Sequence, residues 1–287
     1  MSALSRLFSS SVLREMAKKG RSGLFARLFS ESGLAPSHPD QSVAECFEAA
    51  FGRLRRAGLR NEYIYRAALT HNVLLGSHSL ATASMLTEFR TGASKADLVI
   101  LNGTATVYEI KSDRDSLSRL EKQLADYQKV FAKIYVIAGE AHLRDVLEAA
   151  PPHVGVMRLA RWDRITIIRE ASDRASNICP RAVFQSLRLS EAQSVLRDLG
   201  VIVPEAPNTL LHAVVGASFE RLDPDDVHRS TVKTLKRSRG LASLGELVDR
   251  LPRSLQPAAL SVQIRRKDHD RLVRAIETPL HAAMTWT

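Results

Sequence analysis

Cysteine is almost missing from this chain: Cys46 and Cys179 are the two in 287 residues, far apart and without Cys-x-x-Cys or Cys-x-x-His spacing. That excludes a disulfide framework and a thiolate zinc site, and it suits a reducing, cytoplasmic setting. No apolar run approaches the roughly 20 residues of a membrane span, so no membrane partner is expected. Acid is scarce in the first thirty residues, where Glu15 is the only carboxylate among basic and apolar side chains. The stretch superficially resembles a transit peptide, but without a secretory apolar region it reads better as a basic helical arm. What is abundant is positive charge: 41 Lys and Arg against 31 Asp and Glu leave a formal net charge of +10. An excess of that kind suits a polyanionic partner, because neutralising phosphates releases counterions and steers encounter.

With 45% apolar residues the chain can bury one good core and a smaller second one. Three parts are expected. Residues 1–40 form the arm, closed by Pro36 and Pro39; residues 41–179 form an α/β core; residues 180–287 form a mainly helical C-terminal region. In the core, Val43, Cys46, Phe47, Ala50 and Leu54 repeat at helical spacing, while residues 85–90, 95–101, 106–111, 134–137, 154–157 and 165–168 read as strands. Leu117, Leu120, Leu124, Tyr127 and Phe131 make a helical stripe between strands. Beyond Pro180 only helical patterns remain, with basic stretches at 228–239 and 265–267 that could track a phosphate backbone or simply be solvated.

The chemistry concentrates where two apolar strands carry charges. Asp97, Glu109 and Lys111 lie among residues that otherwise want burial, and unpaired charges there cost several kcal/mol to desolvate. Glu109 and Lys111 are two apart and leave one face of their strand. Asp97 joins them only if the Asn102-Gly103 turn is not a plain two-residue hairpin, since that turn would pair Asp97 with Tyr108. A three-residue loop with Gly103 in the left-handed region, or a bulge, is therefore expected. In that register Leu98, Ile100, Tyr108 and Ile110 line one face, and Val99, Leu101 and Val107 lie beneath the acids on the other.

Asp97, eleven intervening residues and then Glu109-Ile110-Lys111 resemble the core of the PD-(D/E)XK nuclease superfamily, with Ala96 where that name has Pro. Glu88 matches an additional acid that many members place upstream. Gln123 and Tyr127 look like the Gln-x-x-x-Tyr helix of RecB-type nuclease domains, and they share one helix face at i, i+4. From Arg66 and the His71-Asn72 region onward the stretch is also similar to the sce-type conserved proteins of bacteria and phages within that superfamily.

The resemblance implies a restriction-endonuclease-like mixed sheet flanked by helices, with a smaller helical C-terminal part. It also implies a nuclease in which Glu88, Asp97, Glu109 and the Ile110 carbonyl hold Mg²⁺, or Mn²⁺ in its place. These are hard oxygen ligands suited to such ions. Lys111 positions or deprotonates water or stabilises the transition state, and Gln123 and Tyr127 orient Lys111 and the scissile phosphate. DNA is the expected partner, in DNA repair or in defence against foreign DNA, and self-association is compatible with the reading. The alternative is a catalytically inactive nucleic-acid-binding or partner-binding protein on the same scaffold. Asp113, Asp115 and Asp126 are expected as helix N-terminal and surface charges, and His71 as a structural histidine.

Overall fold

β-Branched and aromatic residues alternate through the middle of the chain, and they form six strands there: β1 Ser84–Thr91, β2 Ser94–Leu101, β3 Ala105–Lys111, β4 Lys133–Ala138, β5 Gly155–Leu159 and β6 Ile165–Arg169. In the computed structural model, which describes residues 2–56 and 58–287, they join one sheet in sequential order. β1, β2 and β3 form an antiparallel meander, β3, β4 and β5 run parallel, and β6 returns antiparallel. The two parallel steps need crossovers, and helices Leu120–Tyr127 and Leu143–Ala149 supply them. The fold is thus a mixed α/β sheet flanked by helices, with further helices toward the C-terminus.

By contacts the chain divides into two units. One, residues 74–160 and 164–240, holds the sheet. Val99, Leu101 and Val107 pack in one cluster with Leu124 and Tyr127 of the crossover helix. Val183, Phe184, Val195, Phe219, Val232 and Leu235, from helices between Pro180 and Ser238, complete it. Leu98, Ile100, Tyr108 and Ile110 are buried on the opposite face, where Tyr108 stacks on Tyr135 at 5.6 Å between centroids.

The other unit comprises residues 1–73, 161–163 and 241–287. Its helices Ser10–Lys19, Gly23–Glu31 and Val43–Leu54 bury Leu13, Met16, Leu28 and Cys46 completely. The chain has few aromatics, yet Phe8, Phe25, Phe47, Phe51 and Tyr63 are stacked or tilted on one another here, with Trp286 6.0 Å from Phe25. A reciprocal Ser42–Glu45 capping box starts the fourth helix of this unit.

The first thirty residues are helical as the pattern requires, but they form a core rather than an arm. Leu7, Val12, Leu13, Met16, Phe25 and Leu28 make the reason plain: a stripe of that kind needs a partner surface. The C-terminal region likewise divides. Residues 180–240 bury their apolar stripes within the sheet unit, and residues 241–287 belong with the N-terminal helices. No helix among the described residues is long and apolar enough to cross a membrane.

The β2–β3 loop has the length that the charged strands demand. Leu101 pairs with Ala105, so Asn102, Gly103 and Thr104 form a three-residue connection, closed by Asn102 N donating to Thr104 O at 3.1 Å. Gly103 has φ +110°, a region that a Cβ disfavours. Gly103→Val should therefore destabilise the sheet unit by about 1–2 kcal/mol in urea unfolding. An unchanged midpoint would mean that the loop relaxes freely and does not set the register.

Candidate active site

The constant registers of the two ladders place three acids in one row. β1 pairs with β2 so that Thr87 meets Leu98 and Phe89 meets Ala96, which sets Glu88 across from Asp97. β2 pairs with β3 as far as Leu98 and Tyr108. Both strands continue past that pair without further ladder contacts, and Asp97 and Glu109 sit where they part. At this opening Asp97 Oδ2 accepts the Ile110 N–H at 2.8 Å. A strand residue turns its N–H and C=O to the same lateral edge, so the Ile110 carbonyl faces the Asp97 edge as well.

Glu109 and Lys111 are 1% and 5% exposed, and their side chains form an ion pair at 2.8 Å. Such a pair persists in an interior only when its remaining polar sites are filled. The Leu120–Tyr127 helix fills them. Gln123 Oε1 accepts from Lys111 Nζ at 2.9 Å, and Gln123 Nε2 donates to Glu109 Oε1 at 2.5 Å. Tyr127 Oη donates to Glu109 Oε2 at 2.7 Å, with the Lys95 carbonyl a second acceptor at 3.0 Å. Burial, and then the Glu109 charge, push the Tyr127 phenol far above its ordinary range. It stays protonated and acts as a donor, never as a base.

The sequence expectation for the helix pair divides here. Gln123 is brought to Lys111 and accepts from its Nζ. Tyr127 is fully buried and holds Glu109 instead, so it reaches neither Lys111 nor a phosphate entering from solvent. Its place on the apolar stripe and its polar role coexist: the ring packs at 6.1 Å from Phe131 while the hydroxyl serves the carboxylate.

Glu88 is exposed, and its carboxylate pairs with Lys95. Carboxylate oxygens of Glu88 and Asp97 lie within 4.8 Å of each other. Glu109 instead turns its oxygens to Lys111, Gln123 and Tyr127. Three of its roughly four lone-pair sites are thereby filled. The donor set is all oxygen and suits a hard divalent ion, with Asp97 and the Ile110 carbonyl at the opening, Glu88 across the strand and one lone-pair site left on Glu109.

Glu88 also has a left-handed backbone, φ +57°, in the middle of β1. A non-glycine residue there is strained by about 1 kcal/mol. Asp126, expected as a surface charge, fastens the site's helix to the β1–β2 turn: it accepts Ser94 Oγ at 2.7 Å, and a Cβ on Gly92, φ +58°, would come within 3.0 Å of its carboxylate. Lys95 and Asp126 escaped the sequence reading because neither belongs to the spaced motif. Asp115 takes the Ser112 N–H and hydroxyl in a loop, not at a helix start.

In the basic stretch at 228–239 three of the five cations are engaged with acids. Arg239 makes a two-pronged pair with buried Glu191, at 2.8 and 2.6 Å, and lies over the Phe89 ring. Burial would raise the Glu191 carboxyl, but the bonds from Arg239, the Arg188 N–H and Ser238 outweigh it and hold it below its usual range. Lys233 pairs with Asp198 at 3.0 Å, Arg229 with Asp226, and His228 is buried. His71, in the other unit, is held down to about 4 by burial and by Arg253, so it is neutral at physiological pH and offers a phosphate no charge.

The fold and this centre define a mixed α/β protein with a buried Glu-Lys-Gln-Tyr network beside an aspartate at the point where two strands part. Residues 55–244 match the family described as Bacteriophage P4 protein cII, and the chain belongs to that family. Protein cII of Enterobacteria phage P4 is 34% identical over 111 residues, which cover 37% of this chain and 41% of that protein. The chain thus spans less than half the length of that relative. No solved structure matches. The family match contains the whole sheet unit and every residue of the centre.

Removing one member of a buried pair strands the other. Lys111→Met should cost about 3–5 kcal/mol, and adding Glu109→Gln should recover a large part of it. Additive losses in urea melts would mean that the two charges are not coupled. At Glu88, replacement by Gly should leave stability equal or higher, whereas Glu88→Val should lose about 1–2 kcal/mol. The reverse order would show that β1 carries no strain there.

Proposed function

We propose that the chain is a Mg²⁺-dependent nuclease that hydrolyses phosphodiester bonds in DNA. The observation that carries the reading is the Lys111 ammonium, buried and held by Glu109 and Gln123, on the strand whose preceding N–H, that of Ile110, is taken by Asp97. Lys111 has three N–H donors, and two are taken by the Oε1 atoms of Glu109 and Gln123. The third serves a non-bridging phosphate oxygen or the attacking water. Low solvent exposure makes that charge count for more than it would in bulk water.

Asp97, Glu88, Glu109 and the Ile110 carbonyl would hold the ion. When bound, it lowers the pKa of water and offsets negative charge developing at phosphorus. The chain's own residues supply the geometry. The Ile110 N–H fixes Asp97 Oδ2, Tyr127 fixes Glu109 Oε2, and Gln123 bridges Glu109 to Lys111. Positioning of this kind contributes through orientation rather than through new bonds. The reading agrees with the sequence resemblance of Asp97 and Glu109-Ile110-Lys111 to the spaced acids and lysine of PD-(D/E)XK nucleases. A lone Glu-x-Lys on a strand would support nothing comparable.

Purified chain incubated with circular, linear and single-stranded DNA should cleave at least one form with Mg²⁺ or Mn²⁺ and none with chelator. Asp97→Ala and Lys111→Gln should each lower the rate by 10²-fold or more, on the scale of lost electrostatic or acid-base catalysis. Equal cleavage by wild type and both variants would refute the mechanism. DNA binding without cleavage in any metal would favour a binding protein on the same scaffold.

A further inference from the structure

The positive charge is spread unevenly. The helical unit holds 19 of the 41 basic residues but only 12 of the 31 acidic ones. Its surface carries a cleft of about 450 Å³ between the Ser10–Lys19 helix and the segment that joins helices Gln256–Val262 and His269–Glu277. Arg14, Lys18, Arg265, Lys267 and Arg271 line it, against a single acid, Asp268.

Asp268 is already taken. Arg271 Nη1 donates to its Oδ1 at 3.0 Å and also to the carbonyls of Lys18 and Ala17 at 2.8 and 3.2 Å. Those carbonyls are the negative end of the Ser10–Lys19 helix, so Arg271 cancels the one feature there that would repel an anion. Arg14, Lys18, Arg265 and Lys267 are all exposed, and among the described residues none has a carboxylate within ion-pair distance. Elsewhere exposed cations such as Arg144, Arg181, Lys233 and Arg250 do pair with acids.

The arrangement is built by the fold. Arg14 and Lys18 stand one helical turn apart on one face. Gln263, in the left-handed region at φ +52°, ends its helix, after which Ile264 is buried and Arg265 and Lys267 are exposed. The apolar neighbours Ala17 and Ile264 are buried and Val262 is half-buried, so one small apolar side chain stands in the cleft beside five cations. That favours a phosphate chain over a lipid surface or an amphipathic peptide.

We infer that this cleft binds the phosphate backbone of a nucleic acid, holding substrate through a unit separate from the one that bears the centre. The inference rests on the nucleic-acid substrate proposed above, but not on cleavage. Lys18 and Lys267 act as point charges, and the arginine guanidiniums can grip phosphate oxygens with two N–H groups. Most of the unit lies outside the residues matched by the family, so the cleft is an attribute of this chain rather than of the shared core.

The test is fluorescence anisotropy of the full chain with labelled duplex and single-stranded DNA, in chelator so that no hydrolysis intervenes, across a range of KCl. Arg14→Gln, Lys18→Gln and Lys267→Gln together should weaken binding by about ten-fold and reduce the slope of log affinity against log salt by about 2–3. An equal charge loss elsewhere in the unit, Arg6→Gln, Arg27→Gln and Arg56→Gln, should change affinity less than about two-fold. Lys18→Arg with Lys267→Arg should bind as wild type, and all variants should melt together, since these side chains are exposed. Unchanged affinity in the cleft variant, an equal loss in the control, or binding of inorganic pyrophosphate but not DNA would each overturn the proposal. Binding as described by a protein that cleaves nothing in Mg²⁺ would remove the nuclease reading and leave this one intact.

Discussion

The buried pair of Glu109 and Lys111 is the constraint around which the sheet unit is organised. Two opposite charges on one strand face, both nearly inaccessible, are tolerable only with all but a few of their hydrogen-bonding sites occupied. The crossover helix therefore cannot be a generic amphipathic one. It must bring Gln123 and Tyr127 to the strand on one face while Leu120 and Leu124 pack against the sheet. Asp126, on the same helix, takes the Ser94 hydroxyl of the β1–β2 turn and so fixes the distance of the helix from the sheet. Helix position, strand charge and turn geometry are one coupled requirement.

The opening beside that pair follows from strand pairing. β2 is held to β1 along its whole length but leaves β3 after Leu98, and β3 is held to β4 through Lys111. The sheet parts between β2 and β3 while both strands stay anchored on their outer sides. Ile110 N–H, which loses its place in the ladder, is satisfied by the Asp97 side chain. An acid at that point pairs an otherwise orphaned backbone donor and stands where the two strands part. A wholly structural account explains Asp97 through the Ile110 bond, but it leaves the cost of burying Lys111 unexplained, since two apolar side chains would fill the same space without it.

Much of this was legible in the chain. The strand boundaries, the three-residue Asn102-Gly103-Thr104 loop and the apolar layers on the two faces follow from period-two alternation and from the demand that Asp97 and Glu109 share a face. Helical spacing put Gln123 and Tyr127 on one face, and it was the resemblance to the Gln-x-x-x-Tyr helix that implied a link from Gln123 to Lys111. What local pattern could not carry was anything set by distant segments. Residues 1–31 read as a basic arm because much of their partner surface lies more than two hundred residues away, in helices Gln256–Val262 and His269–Glu277, with Phe47, Phe51 and Tyr63 supplying the rest. The 228–239 stretch left a phosphate track and a solvated face both open, because the acids that pair with Arg239 and Lys233, Glu191 and Asp198, stand on another helix. Glu88 and Lys95 met only once β1 and β2 were paired, and the strained backbone of Glu88 has no signature in residue type.

The two basic stretches show why charge runs are poor guides until their neighbours are known. Each holds several cations within a few residues, and on sequence they are equivalent. One lies on a helix whose buried face includes His228, Thr231 and Thr234; there Lys233 and Arg239 pair with acids of another helix and Arg229 with Asp226 of its own. The other follows a left-handed cap at Gln263, after which Arg266 pairs with Glu246 while Arg265 and Lys267 are exposed, with no carboxylate within ion-pair distance among the described residues. Unpaired cations repel one another, a cost that structure alone does not offset. The 228–239 stretch relieves much of that repulsion inside the fold, through Arg229, Lys233 and Arg239. In the 265–267 stretch only Arg266 is paired, with Glu246, and the charge of Arg265 and Lys267, joined by Arg14 and Lys18, is what the proposed phosphate contact would neutralise.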